Sequence, residues 1–269
     1  MTVVAEQVEL GGVRWQMATR VVDPGLRSVV RRLMGYDERT AGPSERPELP
    51  GARVVLILQT AEPLMLDGSR GPRAFVAGLG PGTTLTRHEG HQQGVQLDLD
   101  PAHARQIFGV PLSELAGAVV PLEDLLRPDE AGFVEHVAER RSWDARTEAV
   151  ERWVGRRWLR GRRPDPRIAG ALQLIDGSDG RIDIAEVGRV ANLSRPHLAR
   201  LFREHVGVTP KVFARLRRFE ALQDRVRAGG TSWSAIAADL GFSDQAHLAR
   251  EVKALCGHTP TGLAQLISG

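Results

Sequence analysis

Apolar positions along this chain change their period partway. In the first hundred residues they come as short runs separated by turn signals. Arg53-Val-Val-Leu-Ile-Leu58 is an apolar run suited to a strand buried on both faces. Leu64-Met-Leu66, Arg73-Ala-Phe-Val-Ala77 and Thr83-Thr-Leu-Thr86 lie around it. Gly94-Val-Gln-Leu-Asp-Leu99 alternates, with Val95, Leu97 and Leu99 on one face. Asp67-Gly68, Gly71-Pro72 and Gly80-Pro-Gly82 punctuate the runs. Short strands at this spacing predict a barrel or a sandwich. Thr40 to Pro50, with three prolines and alternating charges, reads as a surface loop.

At Asp100-Pro101 the period lengthens. A Pro just inside a helix start is favourable, and Ala102 to Phe108 follows as a short helix. Residues 129–140 and 144–159 read as two longer helices. In the second, Ala149, Val150, Trp153 and Val154 form the stripe of a packed face. Its end, Gly155-Arg-Arg-Trp-Leu-Arg-Gly-Arg-Arg163, holds five arginines and runs into Pro164 and Pro166, as a hinge between domains would. That basic run reads either as a solvated helix end or as a direct phosphate contact.

Beyond Arg167 the chain is helical and repeats itself. His197-Leu-Ala-Arg200 returns fifty residues on as His247-Leu-Ala-Arg250, and Gly207-Val-Thr-Pro210 returns as Gly257-His-Thr-Pro260. Upstream the offset is one shorter, since Val187-Gly188 matches Ile236-Ala237 and Asn192-Leu193 matches Gly241-Phe242. One residue is therefore inserted in the second turn. Two copies make a pair of small helical units, not a solenoid.

In the first unit Asp183 and Glu186 read as a capping box, opening a helix that runs to Ala191. Asn192 falls at the turn, and Asn tolerates positive φ. Ser194 is placed to cap the next helix, whose buried face is Leu198, Leu201 and Phe202. Helix, tight turn, and a second helix with small and basic outer residues make a helix-turn-helix. In the second unit Ile236, Ala237 and Leu240 precede Gly241, and Ser243 or Asp244 caps a helix starting near Gln245. Between the units Thr209-Pro210 starts a helix that Gly229-Gly230 stops, on the order of 25 Å long. It could hold two recognition helices about 34 Å apart, the spacing of successive major grooves.

Composition sharpens little by itself. The 269 residues are 42% hydrophobic and 26% charged, a globular balance that excludes a disordered chain. Without a run of 18 apolar residues or a basic-then-apolar start, no membrane span or secretion signal is expected. The single cysteine, Cys256, forms no intramolecular disulfide, and the expected compartment is the cytoplasm. Net charge is only +3; all but Lys211 and Lys253 of the 36 basic residues are Arg. The part from Asp165 carries 14 basic against 11 acidic residues, an excess of 3. Bulk charge thus licenses nothing about nucleic acid, and placement must decide.

Residues 165–269 resemble the DNA-binding domain of the AraC/XylS family of transcription regulators. The motif is Ala237-x3-Gly241-Phe242-x7-Arg250 followed by Gly257-x-Thr259-Pro260, with a weaker copy ending in Arg200-Leu-Phe202 and Gly207-x-Thr209-Pro210. Asn192 stands for the usual turn Gly, Val252 for the usual Phe and Leu263 for the common Tyr, which implies a looser second unit. Glu48-Leu-Pro50 and Leu99-Asp-Pro101 are similar to the sensor domain of a subgroup of the family. The resemblance implies an α+β chain. Residues 1–160 would form a small cupin-like β-barrel with helices for sensing or dimerisation. A linker at 161–166 would lead to an all-α domain at 167–269, with helix-turn-helix units near 183–205 and 232–255. Double-stranded DNA is the implied partner, with RNA polymerase, a small-molecule effector and a second copy as further ones, and no cofactor.

Arg200 and Arg250 hold equivalent places on the two recognition helices, and an Arg fork matches guanine O6 and N7. The competing reading pairs each with a neighbouring Glu. Arg195 and Gln245 are further base or phosphate readers, and Ser194, His197 and His247 flank them. Ala199, Ala246 and Ala249 are small enough for close groove approach, while Lys211 and Lys253 suit phosphates. Trp15, Met65, Phe75 and His88 in predicted strands are the candidate ligand contacts. His88-Glu-Gly-His91 hints at a metal-dependent cupin enzyme, the alternative function. Strand residues three apart face opposite ways, however, which suits one metal poorly, so no metal or catalytic residue is assigned.

Overall fold

The computed structural model describes residues 3–10, 13–230 and 232–268. The chain divides into two compact units. One holds the residues up to 48 with 53–78 and 84–164; the other holds 49–52, 79–83 and 165–269.

The first unit is built on one antiparallel sheet. Its strands are β1 (Val3–Leu10), β2 (Val13–Arg20), β3 (Val30–Glu48), β4 (Val54–Gln59), β5 (Met65–Leu66), β6 (Ser69–Arg70), β7 (Ala74–Ala77), β8 (Thr84–Leu99) and β9 (Val119–Pro121). The order is β1-β2-β3-β8-β4-β7-β9, with the short β5–β6 hairpin paired onto β8. The α+β class stands, and among the described residues the strand-built half is this nine-stranded sheet.

Several segments depart from the sequence pattern. Thr40 to Pro50 is strand almost throughout, because β3 continues to Glu48. Pro43 and Pro47 lie opposite Glu89 and Leu85 of β8, whereas β2 pairs with β3 only as far as Arg39. The prolines therefore fall where β3 has lost its second neighbour and no amide is needed on that side. The two runs Thr83–Thr86 and Gly94–Leu99 belong to the single strand β8. Its middle is polar, and it is irregular where Gly90 takes φ +75° and the β3 register shifts. From Val54 to Leu58 of β4 only alternate residues are buried, so the apolar run has one packed face rather than two. β1 and the start of β3 escaped prediction because charged and amide residues interrupt their alternation, whereas β2 is the strand expected around Trp15.

The pleat sorts the two faces. Leu33, Leu56, Leu58, Val95 and Leu97 are buried on the face that also carries Gly35. A Cβ at Gly35 would collide with the Trp143 ring, which shows how closely a helix lies there. That helix is α3 (Trp143–Arg160). It packs with α1 (Pro101–Phe108) and α2 (Phe133–Ala138) through Trp153, fully buried and stacked on Phe133 at 4.9 Å. The predicted helix over 129–140 is shorter, a 3-10 turn at Pro128–Glu130 followed by α2. The opposite face of the sheet is polar yet enclosed. Trp15, Glu38 and Gln92 lie in line across β2, β3 and β8, beside Met17, Tyr36 and Gly94.

The second unit is all-helical: α4 (Pro166–Gly177), α5 (Ile184–Val190), α6 (Arg195–Val206), α7 (Pro210–Arg227), α8 (Trp233–Asp239), α9 (Gln245–Cys256) and α10 (Pro260–Ser268). Its core is made by Ile175, Leu198, Phe202, Phe213, Leu216, Leu222, Leu248 and Leu263, each at most 3% exposed.

Candidate nucleic-acid interface

The repeat in sequence is a repeat in hydrogen bonding. The first turn closes with Leu193 N–H donating to Gly188 O at 2.9 Å, and the second with Phe242 N–H donating to Ala237 O at 2.9 Å. Asn192 takes φ +51° and Gly241 φ +69° at the matched corners. Both recognition helices end at a left-handed glycine, Gly207 or Gly257, and a threonine then starts the next helix. Asn192→Val is expected to cost about 1–2 kcal/mol, because a β-branched residue is forced into the left-handed region. Thermal unfolding measures this, and a loss below about 0.5 kcal/mol would contradict the strain reading.

On α6 the buried residues are Leu198, Leu201, Phe202, His205 and Val206; on α9 they are Leu248, Val252, Leu255 and Cys256. What remains outward includes most of the predicted readers. Ser194, Arg195, Arg200, Gln245, Ala246, Arg250, Lys211 and Lys253 are exposed, and His197, Ala199, His247 and Ala249 are half-buried.

Local details correct several expectations. Asp183 caps α5 by accepting from Ala185 N–H at 2.8 Å, while Glu186 pairs forward with Arg189, so the two do not form the expected box. Ser194 holds the N-cap position of α6, but its hydroxyl makes no capping bond. In the second unit Asp244 is the cap, accepting from His247 N–H at 2.6 Å. That backbone bond, helped by the charge of Arg250, outweighs a small desolvation and holds the exposed Asp244 carboxyl below the usual range. His247 is committed to its own turn. Its ring lies edge-on to Phe242 at 5.3 Å and its Nδ1 is 3.2 Å from Ser243 Oγ. Arg200 lies 3.6 Å from Glu204 one turn on, the pairing its competing reading required, yet its side chain stays 63% exposed. Cys256 is buried, donates to Val252 O and has its thiol pKa raised by burial, a structural role. Beside Val252 a void of about 10 Å³ remains, bounded by Phe242, Leu255 and Arg218.

Residues that sequence reasoning passed over lie on α7. Arg215 meets Glu251 of α9 at 2.7 Å, Arg225 meets Asp239 at 3.0 Å, and Arg217 and Arg225 share Asp179. Arg218 donates to Gly180 O at 2.7 Å and lies over the Phe242 ring at 5.3 Å. Most of these partners lie 36–46 positions away, so no local spacing could announce them.

In the sheet unit the four candidate ligand contacts separate. Trp15 is opposite Glu38 in register, and His88 Nε2 is 3.3 Å from Glu38 Oε1, so these two share a neighbourhood. Met65 lies on the β5–β6 hairpin and Phe75 is buried in β7. The residue joining the first two, Glu38, was not singled out. Burial raises the pKa of its carboxyl, but the charge of Arg46, the Gln92 hydrogen bond and His88 more than offset this and leave it lowered. His91 turns instead to Asp37 at 3.2 Å. The two histidines thus serve different carboxylates, as opposite strand faces require. An open recess of about 600 Å³ is lined by Thr60, Glu62, Arg70, Arg73, Glu89 and His91, none of them a predicted ligand contact.

Comparison with known proteins bears on both units. Residues 187–265 match the family described as "Helix-turn-helix domain". A curated relative, the "HTH-type transcriptional regulator GlxA" of Rhizobium meliloti (strain 1021), is 27% identical over 173 residues, covering 61% of this chain. The chain spans about half (52%) of that relative's length. The solved structure of ToxT from Vibrio cholerae aligns over 88% of this chain and 99% of its own, with a TM-score of 0.50 at 10% identity, a likeness of fold. A probable AraC family transcriptional regulator from Rhodopseudomonas palustris CGA009 aligns over 38% of this chain and 96% of its own, at 23% identity and a TM-score of 0.34.

Proposed function

We propose that this chain is a sequence-specific DNA-binding transcription regulator of the AraC/XylS type, because residues 187–265 of its C-terminal unit match a helix-turn-helix domain. α6 and α9 enter two successive major grooves, and the sheet unit modulates binding by taking a small effector or by pairing two copies. The observation that carries this reading is the duplicated surface. Two helices with the same turn bond and the same Leu-Ala-Arg outline present Arg200 and Arg250 at equivalent places.

The division of labour follows from chemistry. Arg200, Arg250 and Gln245 have the donors to read base edges, and Ala199, Ala246 and Ala249 keep the backbone close enough for contact with a thymine methyl. Ser194, Arg195, His197, Lys211 and Lys253 suit phosphates, which position without specifying. His247 acts by holding the second turn. Residues 1–160, a linker at 161–166 and residues 167–269 are the working domains, in the cytoplasm. An effector would find Trp15, His88 and Glu38 on the enclosed polar face of the sheet. It would act only through different affinity for two states of the protein. The cupin-enzyme alternative draws no support from His88 and His91, which part company at Glu38 and Asp37.

Selection from random duplexes followed by titration across a salt series tests the proposal. A bipartite site with half-sites about 10 base pairs apart is expected. Arg250→Ala should cost about 1–3 kcal/mol and relax preference at one position of one half-site. Weak binding that ignores sequence, unchanged by that substitution, would sink the reading.

A further inference from the structure

Many charges of the sheet unit are matched within it: Arg20 meets Glu151, Arg31 meets Asp100, Arg32 meets Asp98 and Arg46 meets Glu38. The open recess of about 600 Å³ in the same unit holds two that are not. On its wall Arg70 lies 3.3 Å from Glu62, and His91 lies 3.2 Å from Asp37. Arg73 and Glu89 line the same recess, and among the described residues neither forms an ion pair. Arg73 donates from Nε to Gln59 O at 3.3 Å, which leaves its two outer nitrogens facing no carboxylate. A cation and an anion thus border one space without meeting each other. A molecule that satisfies both must itself carry one charge of each sign.

The wall around these two side chains is fixed. Thr60 N–H donates to Gln93 O at 2.8 Å, and Thr60 Oγ1 donates to Gln93 Oε1 at 2.9 Å. Gln93 is held in turn, accepting from Arg146 at 2.8 Å and donating to Asp37 at 2.6 Å. Arg73 is tied to the end of β4, where its carbonyl accepts from Gln59 N–H at 2.8 Å. Leu64 N–H donates to Gln59 Oε1 at 2.7 Å and so anchors the segment that carries Ala61 and Pro63. Glu89 is set in β8 opposite Pro43. Only the two charged side chains remain to be ordered when a ligand arrives, which keeps the cost of binding low. The volume falls within the range of small-molecule sites.

We propose that this recess binds a small zwitterion, a free α-amino acid or a short peptide. The outer nitrogens of Arg73 take its carboxylate, Glu89 takes its ammonium group, and Ala61 and Pro63 lie against its apolar part. A ligand of one charge is disfavoured because it leaves Arg73 or Glu89 without a partner. The assignment goes beyond the DNA-binding reading and is tested on the protein alone, so the two stand or fall separately.

Isothermal titration calorimetry of the full chain with a panel of free L-α-amino acids and dipeptides reads this directly, at low ionic strength because the recess is open to screening. The tightest ligand is then compared with its amide, which lacks the carboxylate, and its N-acetyl form, which lacks the ammonium. Each should bind about tenfold more weakly, the lower end of what a hydrogen bond to a charged group confers. Glu89→Gln should weaken the free ligand about tenfold and leave the N-acetyl form unchanged. Arg73→Gln should weaken the free ligand equally and leave the amide unchanged. Both side chains are exposed and Glu89 makes no ion pair, so the Glu89 variant keeps its fold and carries the test. Preference for a dipeptide or for a single amino acid supports the proposal and tells the two sources apart. Equal binding of free and singly charged forms, binding untouched by either substitution, or saturation by no member of the panel overturns it.

Discussion

Arg157→Met lowers the stability of the sheet unit by about 3–5 kcal/mol, the cost of removing one partner from a buried ion pair. For a unit of this size that is a fall in Tm of roughly 6–20 °C. Arg157 ties four elements together. It leaves α3, reaches the last turn of α1 at Ile107 O (2.9 Å), the end of the 3-10 turn Leu122–Leu125 at Leu125 O (2.8 Å), and pairs with Glu130 in the 3-10 turn before α2. Its guanidinium also covers the buried Trp153 ring at 4.9 Å. Methionine keeps the stem and its packing but leaves two carbonyls without this donor and the Glu130 carboxylate with only the Arg127 N–H.

The same substitution should change the response to acid. Burial raises the pKa of the Glu130 carboxyl, but the Arg157 hydrogen bonds, the Arg127 backbone N–H and both positive charges prevail and hold it at about 2. A carboxylate with a depressed native pKa stabilises fully above its unfolded value, and the stabilisation disappears as pH falls through the native one. That contribution is lost as pH falls from about 4.5 to about 2. In Arg157→Met this part of the acid slope should shrink to what the Arg127 N–H and charge sustain. Thermal unfolding followed through tryptophan fluorescence at pH 7 and below pH 4 measures both effects. A variant within about 1 kcal/mol of wild type, with the same acid slope, would show that the cluster contributes nothing net.

Arg157 and its four exposed neighbours also show where sequence reasoning stops. Five arginines in nine residues look alike as letters. Which one is core depends on Glu130, Ile107 and Leu125, residues 27–50 positions away. The helical unit was readable because its constraints are local. The left-handed corner at Asn192 or Gly241, the glycine after each recognition helix and the threonine cap all act within a few residues. The sheet unit was not, because β3 earns its length from β8. Pro43 and Pro47 look like loop residues until their neighbour on one side is known to be missing. Glu38 escaped for the same reason, since His88 and Gln92 reach it only through the β3–β8 register and Arg46 comes from further along β3 itself.

The α7 arginines lead to the second strong expectation: Arg218→Ala weakens binding to a bipartite duplex roughly a hundredfold, the lower end of the gain that linking two modules confers. A duplex with one half-site should be bound as wild type binds it. Arg218 stands where the two helix-turn-helix units meet. It donates to Gly180 O, in the segment leading into α5, and lies over Phe242, at the turn between α8 and α9. Burial lowers its pKa, the nearby Glu251 opposes this, and Arg181 adds to it. Gly241 lies close enough to Arg181 that a Cβ there would be 3.4 Å from its Cδ, so the two turns share this corner. The ion pairs of Arg215 and Arg225 are partly exposed and each contributes at most about 1 kcal/mol. The fork of Arg218, donating to a carbonyl while stacking on a ring, has no such substitute. Arg218→Lys should therefore behave as the alanine variant does, because an ammonium offers neither the fork nor the planar face. Circular dichroism separates loss of fold from loss of spacing. An equal loss on one-half-site and bipartite duplexes, with helicity intact, would mean that Arg218 does not set the distance between the two recognition helices.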